Sequence, residues 1–301
     1  MAGELSPTLD SAMKRRKAEV EREISRMVRE ETGVPDRLRE AMGYSLEAGG
    51  KRLRPFLCMA GAELAGSPPA SVMPMAIAIE MFHSASLIHD DLPCMDNDSL
   101  RRGKPSNHVV FGEGLAMLAG DSLLLWAFEV AIAGLIPVFP AERVLRALHV
   151  FSRAIGPSGV CAGQVLDTDA PSMGKDPDFV REIASLKTGA LIRASVLTGG
   201  ILGGLDPEKE TALYNYGTHL GIAFQVVDDL LDKTGKAMEL GKTPGKDERQ
   251  GKTTFVSAYG LERARGIAAE ESNAAVMSLR IYGPEAEDLR SLALTLLRRS
   301  S

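Results

Sequence analysis

Two apolar stretches, residues 69–89 and 114–139, constrain this chain most. Each has about the length that a bilayer span needs, roughly 20 residues. Glu80 and His83 interrupt the first, however, and Asp121 and Glu129 the second. Charges so placed suit central helices buried on most sides, so no membrane span is expected. Around them the helical period recurs. Residues 10–31 set Ala12, Val20, Ile24 and Met27 on a partial apolar stripe. The same reasoning predicts helices over 35–48, 54–65, 69–92, 114–134, 140–155, 158–169, 177–187, 189–203, 207–232, 248–279 and 284–299, with ends good to about 2–4 residues. Short breakers separate them: Gly49-Gly50, Gly66 with Pro68 and Pro69, Pro137, Gly156-Pro157, Gly174 with Pro177, Gly203-Gly204 and Gly283-Pro284. Ala, Leu and Met dominate where strands would need β-branched alternation. The expectation is an all-α fold, one domain over 1–301 with about a dozen helices, and no solenoid repeat.

The second constraint is acidic. Asp90-Asp91-Leu92-Pro93-Cys94-Met95-Asp96 and Asp228-Asp229-Leu230-Leu231-Asp232 each end an apolar run. Carboxylates against apolar helix surface are costly unless paired, protonated or metal-bound. Residues four apart on a helix differ by about 40°. Asp228 and Asp232 therefore share a face, with Asp229 on its flank. Asp90 and Asp96 are six apart and share an ion only if the helix breaks between them, where Pro93 stands. A calcium loop starting at Asp96 fails, lacking the fifth-position ligand and the sixth-position glycine. Mg²⁺, held by a few carboxylates plus phosphate oxygens, fits better.

Basic residues supply the counterpart. A net charge of −5 over 301 residues argues against a nucleic-acid partner, yet Gly49-Gly50-Lys51-Arg52-Leu53-Arg54 and Arg101-Arg102-Gly103-Lys104 are basic islands. A loop is expected to present Lys51, Arg52 and Arg54 at the start of the next helix. Lys187 precedes Thr188-Gly189, and Lys242, Lys246 and Lys252 follow the second acidic cluster. Guanidinium groups suit bidentate phosphate binding, and no Walker loop is present. Cys58, Cys94 and Cys161 are isolated, and with no visible secretory signal a cytoplasmic location is the simplest expectation.

In this order the chain carries Gly49 to Pro55, His89 to Asp96 with Arg101 to Pro105, Gly163-Gln164 with Asp167, Lys187-Thr188, and Phe224 to Asp232. On these motifs it resembles trans-isoprenyl diphosphate synthases, the group of farnesyl and geranylgeranyl diphosphate synthases, over residues 10–299. The resemblance implies a helical bundle around a deep apolar cavity, usually a homodimer. It implies that Asp90, Asp91, Asp96, Asp228, Asp229 and Asp232 bind Mg²⁺, three ions, on the diphosphate of an allylic substrate (dimethylallyl, geranyl or farnesyl). Arg101, Lys187, Gln225 and Lys242 would hold that leaving group, and Thr188 would line its path. Lys51, Arg54, His83 and Arg102 would bind isopentenyl diphosphate, with Gln164 and Asp167 bordering the pocket.

The resembled enzymes ionise the allylic C–O bond and add five carbons. In them a large aromatic five residues before the first aspartate floors the cavity near fifteen carbons. Here Ala85 and Ser86 stand five and four residues before Asp90, and Phe82 lies one turn deeper. Phe82 as the floor predicts a twenty-carbon product, geranylgeranyl diphosphate, with the fifteen-carbon farnesyl diphosphate as the alternative. Ser99 departs from the acidic residue often found there. A class I terpene cyclase is disfavoured because Asp232 and Lys236 stand where its second motif needs Ser or Thr and Glu. A non-catalytic partner subunit is disfavoured because every carboxylate is kept.

Overall fold

The computed structural model describes residues 6–173, 176–234 and 253–299. Lys242, Lys246 and Lys252 lie outside these residues. The helices are α1 (Pro7–Glu30), α2 (Asp36–Leu46), α3 (Leu53–Leu64), α4 (Met73–Asp90), α5 (Asn107–Phe111), α6 (Glu113–Leu135), α7 (Ala141–Ile155), α8 (Val160–Met173), α9 (Pro177–Ile183), α10 (Ala190–Gly203), α11 (Pro207–Lys233), α12 (Phe255–Tyr259), α13 (Leu261–Ser278) and α14 (Glu287–Arg299). Their starts are written in the sequence. Ser6, Asp176 and Asp206 cap α1, α9 and α11 through side-chain oxygens, each followed by a proline whose missing N–H has no partner to lose there.

One apolar cluster runs from Leu9 in α1 to Leu296 in α14. At its centre α10 packs against α3, α7 and α11 and also touches α4, which lies along α6; α11 lies along α13. The α4 and α10 faces are apolar nearly all round, as the amphipathicity argument requires of helices with neighbours on several sides. Residues Pro69–Asp90 and Glu113–Leu135 are long and apolar enough to cross a membrane by length and composition. In the first, 67% of the most apolar window is buried, but in α6 only 33% is, so the expectation of a helix buried on most sides fails for α6. Leu118, Leu125 and Ile132, seven residues apart, leave an exposed apolar stripe along α6.

In secondary structure the chain departs from the sequence reading at four places. The predicted break at 188 is absent: Ala184–Gly189 continues from α9 into α10 as a π-helical turn. Gly189 keeps helical angles there, and the close packing falls on its neighbour, since a Cβ on Gly221 would overlap Gly189 Cα. The predicted helix over 248–279 is instead α12 and α13 where it is described, parted by Gly260 at φ +79. Residues 69–72 and 284–286 are 3₁₀ turns ahead of α4 and α14. The polar stretch 93–113 contains α5 and a two-rung hairpin, β1 (Leu100–Arg101) and β2 (Lys104–Pro105). Arg102 at φ +54 and Gly103 at φ +76 form its tip, the sign pattern of a type I′ turn, whose twist matches paired strands.

Candidate active site

The first acidic cluster begins where α4 ends. Asp90 closes the helix, and the chain then folds back: the Asp96 N–H donates to Asp90 O at 2.8 Å and the Asp98 N–H to Asp91 O at 3.2 Å. Asn97 takes a left-handed conformation to make the turn. The helix therefore breaks before Pro93, the break that a shared ion would need, and the backbone of Asp96 is returned to that of Asp90. The second cluster stays within regular helix, Asp228 to Asp232 on α11.

In both clusters the second of the adjacent aspartates is buried and bonded to the protein. Asp91, 2% exposed, receives Arg101 Nε at 3.0 Å and 3.1 Å on its two oxygens, and Arg101 Nη2 as well. Burial raises the Asp91 pKa and the Arg101 bonds oppose that rise. Burial likewise works against the Arg101 charge, but Asp91 and Asp98 outweigh it and hold Arg101 above its ordinary value. The forked geometry fixes the two as an ion pair at neutral pH. Asp229, 6% exposed, accepts from Gln225 Nε2 at 2.8 Å on one oxygen and from the Phe255 N–H at 2.8 Å on the other. Asp90, Asp96, Asp228 and Asp232 are half-buried.

A cation group surrounds His83 on α4. Burial first, and then Arg54, Arg102, Arg52 and Arg101, push the imidazole well below its ordinary pKa, so His83 is neutral. Burial lowers Arg54 to about 10, with Glu80 pulling it up and Arg102 down. Arg102 is lowered by burial too. Its guanidinium donates to Gly49 O and lies so close to Gly50 that a Cβ there would stand 2.9–3.1 Å from it. The sequence reading placed Arg52 with Lys51 on a presenting loop. Instead Arg52 turns inward, 3% exposed, while Lys51 is exposed and Arg54 half-buried.

The remaining predicted polar residues gather at the π turn. Lys187 Nζ donates to Asp167 Oδ2 at 2.6 Å. Thr188 Oγ1 donates to Gln225 Oε1 at 2.7 Å, and Gln225 passes the chain to Asp229. Single π turns often mark functional sites. This one is seated by Gly163 on α8, where an added Cβ would lie 2.6 Å from Lys187 Cα and 2.7 Å from Leu186 C. Gln164, next to that glycine, is half-buried. Farther along α4, Ser86 Oγ donates to His83 O at 3.0 Å, and Ala85 and Phe82 are buried. Phe82 meets Phe151 edge-on at 6.2 Å, and Phe151 meets Phe128 at 5.4 Å. Sequence spacing offered no sign of Phe128 and Phe151, which come from α6 and α7. A pocket of about 30 Å³ beside Arg101 and Arg102 and an open one of about 600 Å³ between α7, α10 and α11 are lined by none of these three phenylalanines.

Carboxylate oxygens are hard donors, and the two acidic clusters suit Mg²⁺ by donor chemistry. Among the described residues no three His, Cys, Asp or Glu side chains are grouped so that they could hold a metal ion by themselves. Magnesium sites that share substrate phosphate oxygens do not need one.

The chain matches the family model of polyprenyl synthetase over residues 35–287. It is 44% identical over 270 residues to a dimethylallyltranstransferase of Fischerella ambigua, covering 89% of this chain and 78% of that protein. It is 45% identical over 252 residues to a chloroplastic geranylgeranyl pyrophosphate synthase of Catharanthus roseus, covering 83% and 70%. Its fold superposes on a geranyltransferase from Legionella pneumophila with a TM-score of 0.87 at 34% identity, covering 97% of each chain. The aspartate-bearing ends of α4 and α11, the cation group at His83 and these similarities agree: the chain is a prenyltransferase and belongs to the polyprenyl synthetase family.

Proposed function

We propose that the chain condenses isopentenyl diphosphate with an allylic diphosphate and releases geranylgeranyl diphosphate as its main product. The observation that carries this reading is the crowding of Arg54, Arg102, Arg52 and Arg101 around a neutral His83, close in sequence to the first acidic cluster. So many cations near one buried imidazole suit a polyanion. Lys51, Arg54, Arg102 and the N–H of His83 bind the diphosphate of isopentenyl diphosphate. Lys187, Gln225, Thr188, Arg101 and Lys242 hold the allylic diphosphate, Gln164 and Asp167 border it, and Asp167 orients the Lys187 ammonium.

Asp90, Asp96, Asp228 and Asp232 hold magnesium, while Asp91 and Asp229 brace Arg101 and the start of α12. When bound, magnesium supplies positive charge that stabilises diphosphate as a leaving group. The allylic C–O bond breaks with its electron pair going to diphosphate. The double bond of isopentenyl diphosphate attacks the allylic cation, a C–C bond forms, and the departed diphosphate takes the proton lost from the adduct. Lys187 and Arg101 stabilise the developing negative charge by fixed geometry. The apolar faces of α4 and α6 keep water from the cation.

Phe82, supported by Phe151 and Phe128, closes the cavity one turn below Ala85 and sets twenty carbons. The enzyme works as a homodimer joined along the exposed stripe of α6, whose Leu125 is 71% exposed. Purified protein with Mg²⁺, labelled isopentenyl diphosphate and each allylic primer tests the reading. Twenty-carbon diphosphate is expected. Hydrocarbon made from geranyl diphosphate alone would instead identify a cyclase, and no condensation at all would refute the assignment.

A further inference from the structure

Glu80 interrupts the apolar run of α4, and the reaction scheme above gives it no task. It is 2% exposed, and Arg52 Nη1 donates to its Oε1 at 2.6 Å. The Arg52 side chain is itself 1% exposed. Its other terminal nitrogen donates to Leu46 O at 2.8 Å at the end of α2, and its Nε lies 3.6 Å from Glu21 on α1. Arg52 holds a left-handed backbone, φ +50, at the start of α3. A side chain with a Cβ avoids that conformation unless its surroundings over-determine it. Here they do, because the guanidinium is anchored to three other helices. The anchored residue stands between Lys51 and Arg54, so its backbone turn sets the direction in which both neighbours leave the loop.

Arg102 fastens the other side of the same loop through Gly49 O. Glu80 is three residues before His83, hence on one face of α4 with it. We propose that Glu80 is a positioning residue for the isopentenyl diphosphate site, acting through Arg52 to fix the Gly49–Arg54 loop. The inference rests on the assignment of Lys51 and Arg54 to that substrate.

A simple electrostatic role predicts the opposite outcome, since removing a negative charge beside an anion site tightens anion binding. The sign therefore decides. In Glu80→Ala the KM for isopentenyl diphosphate should rise about tenfold or more, with kcat and the KM for the allylic primer within about threefold. Glu80→Gln, which keeps an acceptor for Arg52, should recover most of that loss. The double variant Arg52→Met with Glu80→Met separates placement from stability. Replacing both charges by apolar groups of similar volume restores the fold, often in full. It cannot restore the loop, so its Tm should approach that of the parent while its KM stays raised. A parental KM in the double variant, an unchanged or lowered KM in Glu80→Ala, or an equal rise for both substrates overturns the proposal. Lys51→Ala and Arg54→Ala run alongside. If those leave the KM for isopentenyl diphosphate unchanged, the site assignment itself is wrong, and that failure is distinguishable from the failure of Glu80 alone.

Discussion

Replacing Gly163 by alanine isolates how the π turn is held. In an ordinary helix interior this change stabilises by about 1 kcal/mol. Here the added Cβ would stand 2.6 Å from Lys187 Cα and 2.7 Å from Leu186 C, with Lys187 N closer still. Ordinary contact begins at 3.4 Å. These are backbone atoms and cannot rotate aside, so α8 and the π turn must part by roughly 1 Å, a strain of about 1–3 kcal/mol. Lys187 moves with its backbone, away from Asp167, and Thr188 follows. A displacement of that size next to a leaving group costs about 10²-fold in rate. Urea unfolding should show a net loss in place of the usual gain, and kcat should fall about a hundredfold. Gly114→Ala, in α6 with nothing within 4 Å of its Cβ, is the control and should be neutral or slightly stabilising. Parental stability and kcat in Gly163→Ala would refute the claim that backbone contact sets the Lys187 position.

His83 is held well below its ordinary value of 6.5 by burial and neighbouring arginines. Below that pH the unfolded chain takes a proton that the folded one refuses, so stability falls as pH drops, by at most about 1.4 kcal/mol per pH unit. His83→Gln should remove this slope in urea titrations at pH 7.5 and 5.5; parallel behaviour of variant and parent contradicts the assignment. Ala85→Phe should shorten the product and Phe82→Ala should lengthen it, read by chromatography of the dephosphorylated alcohols. Parental products from both would exclude Phe82 as the floor. Leu125→Arg should give a monomer by analytical ultracentrifugation with a Tm little changed for the isolated subunit, because Leu125 is already exposed; a persistent dimer would place the interface elsewhere.

Much of this was legible in the chain because the signals were local. Ser6-Pro7 and Asp206-Pro207 announce helix starts through their own chemistry. An ion shared by Asp90 and Asp96, six residues apart, would need a fold-back, and the 2.8 Å backbone bond between them makes one. What escaped depends on partners distant in sequence. Gly189 reads as a breaker unless one knows that Gly221 lies against it. Arg52 reads as one of three cations on a presenting loop until Glu80, twenty-eight residues on, draws it inward. The hairpin at Arg102-Gly103 was hidden because two paired residues per strand are too few to show alternation.

The bond from the Phe255 amide to Asp229 gives this protein a built-in reporter. The acceptor belongs to the second acidic cluster, and the donor is a single backbone N–H whose resonance is assignable in a labelled sample. Charge arriving at Asp228 or Asp232 polarises the Asp229 carboxylate and shifts that one proton signal. Occupancy of the acidic cluster thus becomes readable by nuclear magnetic resonance in the absence of turnover, at a position that no substrate needs to touch.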